Sequence, residues 1–401
     1  MSDYLNLPQD LFAEILVRLP IQDVVKSTAV CKSWNSLIKT PTFISTHLQK
    51  SISSTKTNLL LFRLCTSTST STSTSPWFES GKTDARLEYS LRLDNKAVDE
   101  YKQLPCPNIG GCRFRVAGSY NGLVCLVEDG SYGYGDTFIL WNPLIKKAIH
   151  LPEPNVTYSS HGPYDAFTGF GFDSKTDDYK LLRYLVLDDN SIEAEVYSLN
   201  ANCWTSITPI APKYIPHFEY PRNYGNSFVN GAIHLLAGND QAGYRVLAFD
   251  VSEQVFSEIP LPDHLSNASF PRAQLLTYRQ SSIATMTWEW EPSLIELWVM
   301  KEYGVATSWT KVFTEKREIV ARVLFLRQDE QVFVTIKGGL ISSIDIKSKH
   351  FEDFGVESVH SLEYFLVVDS YVESLVLLDK CCNAGLNVIS IDEDDANSTD
   401  K

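Results

Sequence analysis

Leu140-Trp141-Asn142-Pro143 through Ile149-His150-Leu151-Pro152 reads as a strand, a turn and a second strand, and the pattern returns four times. The later units are Val196-Tyr197-Ser198-Leu199 through Cys203-Trp204, Ala248-Phe249-Asp250-Val251 through Phe256-Ser257-Glu258-Ile259-Pro260, Leu297-Trp298-Val299-Met300 through Ser308-Trp309, and Ser343-Ile344-Asp345-Ile346 through Phe351. Their starts lie 56, 52, 49 and 46 residues apart. A period of about fifty residues with an aromatic in each unit is the mark of propeller blades of four strands each. Asn121-Gly122, Asn230-Gly231 and Gly338-Gly339 each precede an apolar run, as tight turns between antiparallel strands require.

The expectation is a six-bladed β-propeller, within a range of five to seven blades. The first blade combines Leu59 to Leu64 and Leu87 to Leu93 with a late strand such as Tyr364 to Val368, which closes the ring and removes exposed edges. A two-sheet sandwich is the alternative, but it needs no regular period.

The first forty-eight residues follow a different rule. Leu11, Phe12, Ile15, Leu16 and Leu19 recur at helical spacing between Pro8, suited to a first turn, and Pro20, which stops the helix. Asp23 is placed to cap a second helix, and Val30, Trp34 and Ile38 keep helical spacing through a third. Phe43, Ile44 and Leu48 sit in a last short turn. Three or four short helices gain only a marginal core of their own, so part of this apolar stripe must face a partner. The other outlet for it is the chain's own second domain.

Leu7-Pro8, Ile15-Leu16, Leu19-Pro20 and Val30-Cys31-Lys32-Ser33-Trp34 fall in the order of an F-box, the helical module that binds the Skp adaptor of cullin-based ubiquitin ligases, and the segment resembles it closely. Val24-Val25 and Ser27-Thr28 stand where many relatives carry bulkier residues. The remainder resembles the type-one F-box associated domain of plant F-box proteins, such as S-locus F-box and F-box/kelch-repeat proteins. Trp141-Asn142-Pro143, Gly169-Phe170-Gly171-Phe172-Asp173, Val229-Asn230-Gly231-Ala232-Ile233-His234, Trp298-Val299-Met300 and Tyr371-Val372-Glu373-Ser374-Leu375 carry that likeness.

The resemblance implies a small all-α F-box over residues 1–48, a linker over 49–58 and an all-β propeller over 59–385. It implies that Leu7, Pro8, Leu11, Ile15, Leu16, Leu19, Pro20, Val30, Cys31, Lys32 and Trp34 dock the adaptor and, through it, cullin, while the propeller presents a protein target for ubiquitination. The receptor makes no bonds itself; it raises the effective concentration of the target at the transfer site. Specificity is expected on the connections Tyr158 to Phe167, Pro212 to Tyr224 and Asp263 to Arg272, because loops vary on a fixed scaffold. Tyr158, Tyr164, Phe218, Tyr220 and Trp288 are the candidate target contacts. A small-molecule or glycan sensor would use the same fold, with Trp288 or Tyr220 as stackers in a pocket at one mouth.

Composition agrees with a folded protein and argues against several other functions. The 401 residues are 44% apolar and 12% aromatic, and the formal charge is −14, which opposes binding to a phosphate backbone. No stretch approaches the ~20 apolar residues that span a bilayer, so no membrane partner is expected, and the location expected is the cytoplasm, extending to the nucleus. Eight cysteines without metal-ligand spacing predict reduced thiols and no metal. No cofactor is expected: Gly169-x-Gly171 lacks the third glycine of a dinucleotide site, and no Gly-Lys-Ser/Thr phosphate loop occurs. Glu289 and Glu291 share a strand face opposite Trp288 and Trp290, an arrangement a solvated face explains as well as an acid pair. The uninterrupted Ser/Thr alternation of residues 66–75 and the acidic end over 386–401 have nothing to bury and are expected to be a disordered loop and tail.

Overall fold

A computed structural model describes residues 9–54, 58–67, 85–105, 114–128, 136–216, 227–239, 243–266, 273–288, 294–316, 318–336, 339–358, 366–380 and 387–390. Helices α1 (Gln9–Leu16), α2 (Ile21–Ser27), α3 (Lys32–Ile38) and α4 (Pro41–Ser53) come first. Thr40 caps α4 by accepting from the Phe43 amide at 3.2 Å, and Pro41 occupies its first position, where no N–H is missed. With that start the helix runs through Ser53, so the expected linker over 49–58 is helical in its first half. Asp23 lies inside the first turn of α2 rather than capping it; Pro20 takes the cap position in an extended conformation.

Six antiparallel sheets follow. Blade one holds β1 (Leu59–Ser67), β2 (Ala85–Leu93) and β3 (Glu100–Leu104), and blade two holds β4 (Phe114–Tyr120), β5 (Leu123–Glu128), β6 (Phe138–Asn142) and β7 (Lys147–His150). Blade three is β8 (Tyr164–Asp173), β9 (Asp178–Leu187), β10 (Ile192–Ser198) and β11 (Cys203–Ser206). Blade four is β12 (Ile215–Pro216), β13 (Phe228–Val229), β14 (Ala232–Asn239), β15 (Gly243–Asp250) and β16 (Val255–Pro260). Blades five and six are β17 (Ala273–Tyr278), β18 (Ser282–Trp288), β19 (Leu294–Met300), β20 (Trp309–Lys316), and β21 (Val320–Leu326), β22 (Gln331–Ile336), β23 (Leu340–Asp345), β24 (Phe351–Glu357). The chain end returns β25 (Val367–Tyr371) and β26 (Asn387–Ser390).

β25 takes the innermost place of blade one, beside β1, and packs against β4 and β21, so the innermost strands form a closed ring of six. The five repeat units are the third and fourth strands of blades two to six. β26 pairs with β7 along the outside of blade two, so part of the expected tail over 386–401 is a fifth strand that covers an open sheet edge. Thr66 and Ser67, expected in the Ser/Thr loop, pair with Arg86 and Ala85 as the end of β1; residues 68–75 lie outside the described residues.

The two asparagine-glycine turns have positive φ at both residues, 50° and 77° at Asn121-Gly122 and 51° and 76° at Asn230-Gly231, as hairpins of this type demand. The end of the chain lies on the first of them. A Cβ on Gly122 would meet Ser374 Oγ at 2.5 Å, and Tyr371 Oη donates to the Gly122 carbonyl at 3.1 Å. Asn142 completes the lock: its Nδ2 donates to the carbonyls of Ser374 and Val376, each at 2.9 Å, and its Oδ1 accepts from the Leu144 amide at 3.2 Å. Gly169 and Gly171 admit a neighbouring blade, since a Cβ on either would strike Ile233 or the Phe228 ring.

All turns joining first to second and third to fourth strands lie on one face, here the lower one. The chain enters blade one on that face, at Asn58, and the helical module sits there. Leu16, Ile21, Val24, Ile38, Phe43 and Ile44 share one buried cluster with residues of blades one to three such as Leu61, Tyr89, Leu123 and Trp141. A cleft of about 520 Å³ between the helices and the channel is lined by Leu19, His47 and Lys50 on one side and by Arg279, Leu324 and Val368 on the other.

Candidate functional site

Two rows of apolar residues run along α1, and the fold separates them. Leu16 is 1% exposed, whereas Leu11 and Ile15, one turn apart, are 47% and 53% exposed. The stripe is too wide for one contact: adjacent positions on a helix stand ~100° apart, so one row enters the shared core while its neighbour stays in water. Leu16, expected at the adaptor, is therefore a core residue. Phe12, on the same side as Leu16, meets Trp34 of α3 with ring centroids 5.9 Å apart, and Trp34 and Leu19 are half-buried against the core.

The helix over Lys32–Ile38 begins later than its spacing suggests. Val30 lies before it and is 64% exposed, and Cys31 caps it, with Sγ accepting from the Trp34 amide at 3.5 Å. Pro20, Cys31 and Lys32 are exposed. The described module thus offers water three large apolar side chains near the sequence motif, Leu11, Ile15 and Val30, while Leu7 and Pro8 lie outside the described residues.

A family model for the F-box domain matches residues 4–46, and one for the F-box associated beta propeller domain matches residues 91–378. This chain belongs to the F-box associated propeller family. Among its relatives, F-box protein CPR1 of Arabidopsis thaliana is 25% identical over 406 aligned positions, covering 92% of this chain and 89% of the relative. F-box/kelch-repeat protein At3g23880 of the same plant is 26% identical, over 77% and 79% of the two chains. Among solved structures, SapL1 lectin in complex with alpha methyl fucoside has a TM-score of 0.43 at 14% identity, covering 69% of this chain and 92% of the lectin, a likeness too slight to carry an argument.

On the F-box associated propeller, the candidate target residues separate by burial. Tyr158 opens the short helix α5 (Tyr158–His161), which Thr157 and Ser160 close with a capping box, and its side chain is 52% exposed. Tyr164 is 3% exposed and hydrogen-bonded to Asp136 and, at 3.1 Å, to Arg183, so it is a support beneath α5 rather than a contact for a target. Burial pushes its phenol above the ordinary tyrosine value, and the hydrogen bond to Asp136 adds to that against the pull of Arg183. Phe218 and Tyr220 lie outside the described residues, as do Glu289 and Glu291; Trp288 ends β18, and its side chain is likewise undescribed.

Arg183, Asp173, Lys180 and His234 are buried in the propeller, and each has partners there. Arg183, fully buried, pairs with Glu195 and Asp136, donates to the Val156 carbonyl at 2.8 Å and lies over the rings of Phe138, Tyr164 and Trp204. Asp173 accepts from Lys180 at 2.8 Å, Ser252 at 2.6 Å and Thr176 at 2.7 Å, while Lys180 also reaches the Val251 carbonyl in the next blade. Burial works to raise the Asp173 carboxyl, and those hydrogen bonds outweigh it and hold the group well below the usual carboxylate range. His234 is buried between Ser227 O at 2.6 Å and Tyr303 Oη at 2.7 Å, and burial drops its pKa to about 4.

Asp173 and His234 stand in motifs that carry the family likeness, but the sequence pattern did not show what they bond to. Arg183 meets Glu195, and Asp173 meets Lys180, across neighbouring strands of blade three, while the contacts to Asp136, Ser252 and Val251 come from the blades on either side. Among the described residues no group of three His, Cys, Asp or Glu could hold a metal ion, and no helix is long and apolar enough to cross a membrane.

Proposed function

We propose that this F-box protein is the substrate-recognition subunit of an SCF-type ubiquitin ligase. Its F-box docks a Skp-family adaptor, and through it cullin, and its propeller holds a protein target for ubiquitination and proteasomal degradation. The reading rests on one observation above all: Leu11, Ile15 and Val30 stand in water on a module whose other large apolar side chains are mostly drawn into a core shared with the propeller. An exposed apolar row beside a rigidly held body is the geometry of a docking edge. The protein acts without catalytic groups of its own, by holding a target lysine near a charged ubiquitin carrier. Such a complex would work in the cytoplasm and nucleus.

Co-purification of the full chain from plant cells tests the reading, with wild type compared against Leu11→Ser/Ile15→Ser. The expected result is a Skp-family adaptor and cullin with the wild type and their loss from the variant, whose fold is unchanged because both positions face solvent. Absence of adaptor from the wild type, or its retention by the variant, overturns it.

A further inference from the structure

The F-box occupies the lower face of the propeller, and that leaves the upper face for a target. On that face three exposed apolar residues come from the connections that flank blade three: Tyr158 at 52%, Ile210 at 51% and Ile215 at 44% exposed. Ile210 follows the outer strand β11, Ile215 begins the innermost strand of blade four, and Tyr158 lies just before the innermost strand of blade three. Their segments are tied to β8, β9 and β10, through Tyr164 opposite Leu187, Thr208 bonded to Ala194 and Tyr214 bonded to Tyr184, and the upper turn between β9 and β10 carries Asp188 and Asp189, both exposed.

The turn is firmly built. The Asp189 carboxylate accepts from the Ser191 amide at 2.8 Å, and the Asn190 amide donates to the Leu187 carbonyl at 2.9 Å. The backbone around Ile210 and Ile215 is held as well: Tyr184 Oη donates to the Tyr214 carbonyl at 3.0 Å and also to the Pro212 carbonyl. Tyr158 is fixed through its amide, which donates to Asp136 at 3.4 Å. Three apolar side chains on a rigid frame around two carboxylates form a preorganised surface.

We propose that the upper edge of blade three is the target-docking surface, and that its occupant is a protein segment carrying Lys or Arg beside a large apolar residue. Charge complementarity fixes the sign: the turn presents two carboxylates, Lys213 is the one exposed lysine among the described residues of the flanking connections, and the chain as a whole carries −14. The same charge works against a second copy of this acidic chain. The inference rests on the receptor reading and gives it a place and a partner chemistry.

The full chain, co-purified with its adaptor, is titrated into three pools of fluorescent synthetic peptides. One pool carries Lys or Arg beside Leu or Phe, one carries Asp or Glu in the same places, and one carries Lys or Arg without an apolar residue. The expected result is binding of the first pool alone, weakened by salt and weakened at least about tenfold by Tyr158→Ser/Ile210→Ser and by Asp188→Asn/Asp189→Asn. Adaptor capture stays unchanged in both variants. Equal binding of the acidic pool, binding indifferent to the four substitutions, or self-association of the wild type that Tyr158→Ser/Ile210→Ser abolishes overturns the proposal while leaving the receptor role intact. Loss of adaptor from the wild type overturns the receptor reading beneath it.

Discussion

The indole Nε1 of Trp204 donates to the carbonyl of Pro152 at 2.9 Å, tying the outer strand of blade three to the end of blade two. Trp309 repeats the relationship one pair of blades further on, donating to the carbonyl of Pro260 at 2.9 Å. Each tryptophan opens or nearly opens the fourth strand of its blade, and each acceptor is the proline that ends the repeat unit of the blade before. Replacing either by Phe keeps a ring in place but strands the carbonyl, at a cost of about 1–2 kcal/mol. Denaturant midpoints should fall by similar amounts for Trp204→Phe and Trp309→Phe, and the double variant should show their sum, because the two locks share no partner. A midpoint equal to wild type in both variants would show that the hydrogen bonds contribute nothing.

Asn142 holds the returning segment with two hydrogen bonds from Nδ2 while Oδ1 accepts from its own turn, and no other residue type offers two donors and an acceptor on so short a stem. Asn142→Ala should destabilise the protein by roughly 2–4 kcal/mol by leaving buried backbone groups unpaired. Limited proteolysis should then cut first between residues 372 and 380. Cleavage beginning elsewhere, at wild-type rate, contradicts the lock.

His234 makes stability depend on pH. In the unfolded chain it titrates near 6.5, whereas burial holds it at about 4 in the fold, so the unfolded state binds the proton first. The contribution is complete above pH 6.5 and is lost as pH falls towards 4, reaching about 3 kcal/mol. Urea midpoints of wild type and His234→Asn, compared between pH 7.5 and 4.5, should converge as the pH drops. Parallel curves would refute the assignment.

Leu16 and Ile15 are neighbours in sequence with opposite duties. Leu16→Ala should cost about 2–5 kcal/mol of stability as a core deletion, whereas Ile15→Ser should leave the melting temperature within ~1 °C and act on adaptor affinity alone, weakening it by about tenfold or more. Calorimetry beside a binding titration separates the two. A destabilised Ile15→Ser would place that side chain in the core after all.

The blades were legible because each repeat unit is local: alternating apolar residues, an aromatic and a turn lie within about twenty residues. The ring closure was legible to within a few residues, with the returning strand at Val367–Tyr371 rather than Tyr364 to Val368. β26 was not, because four residues before an acidic end carry too little pattern to show that the open edge of β7 is their partner. At the candidate site, the motif showed where helices lie but not which of their residues are buried: Leu16 and Tyr164 are in the core, whereas Leu11, Ile15, Val30 and Tyr158 are exposed.

The sequence by itself determined the family, the helical module, the repeating blade unit and the turns with positive φ, since each depends on residues close together in the chain. Only the tertiary structure decided which row of α1 faces water, which face of the propeller the F-box takes, and which buried charges meet across blades. Those outcomes depend on distances between segments some tens to hundreds of residues apart, as in the bond from Asn142 to Val376, and no local pattern encodes them.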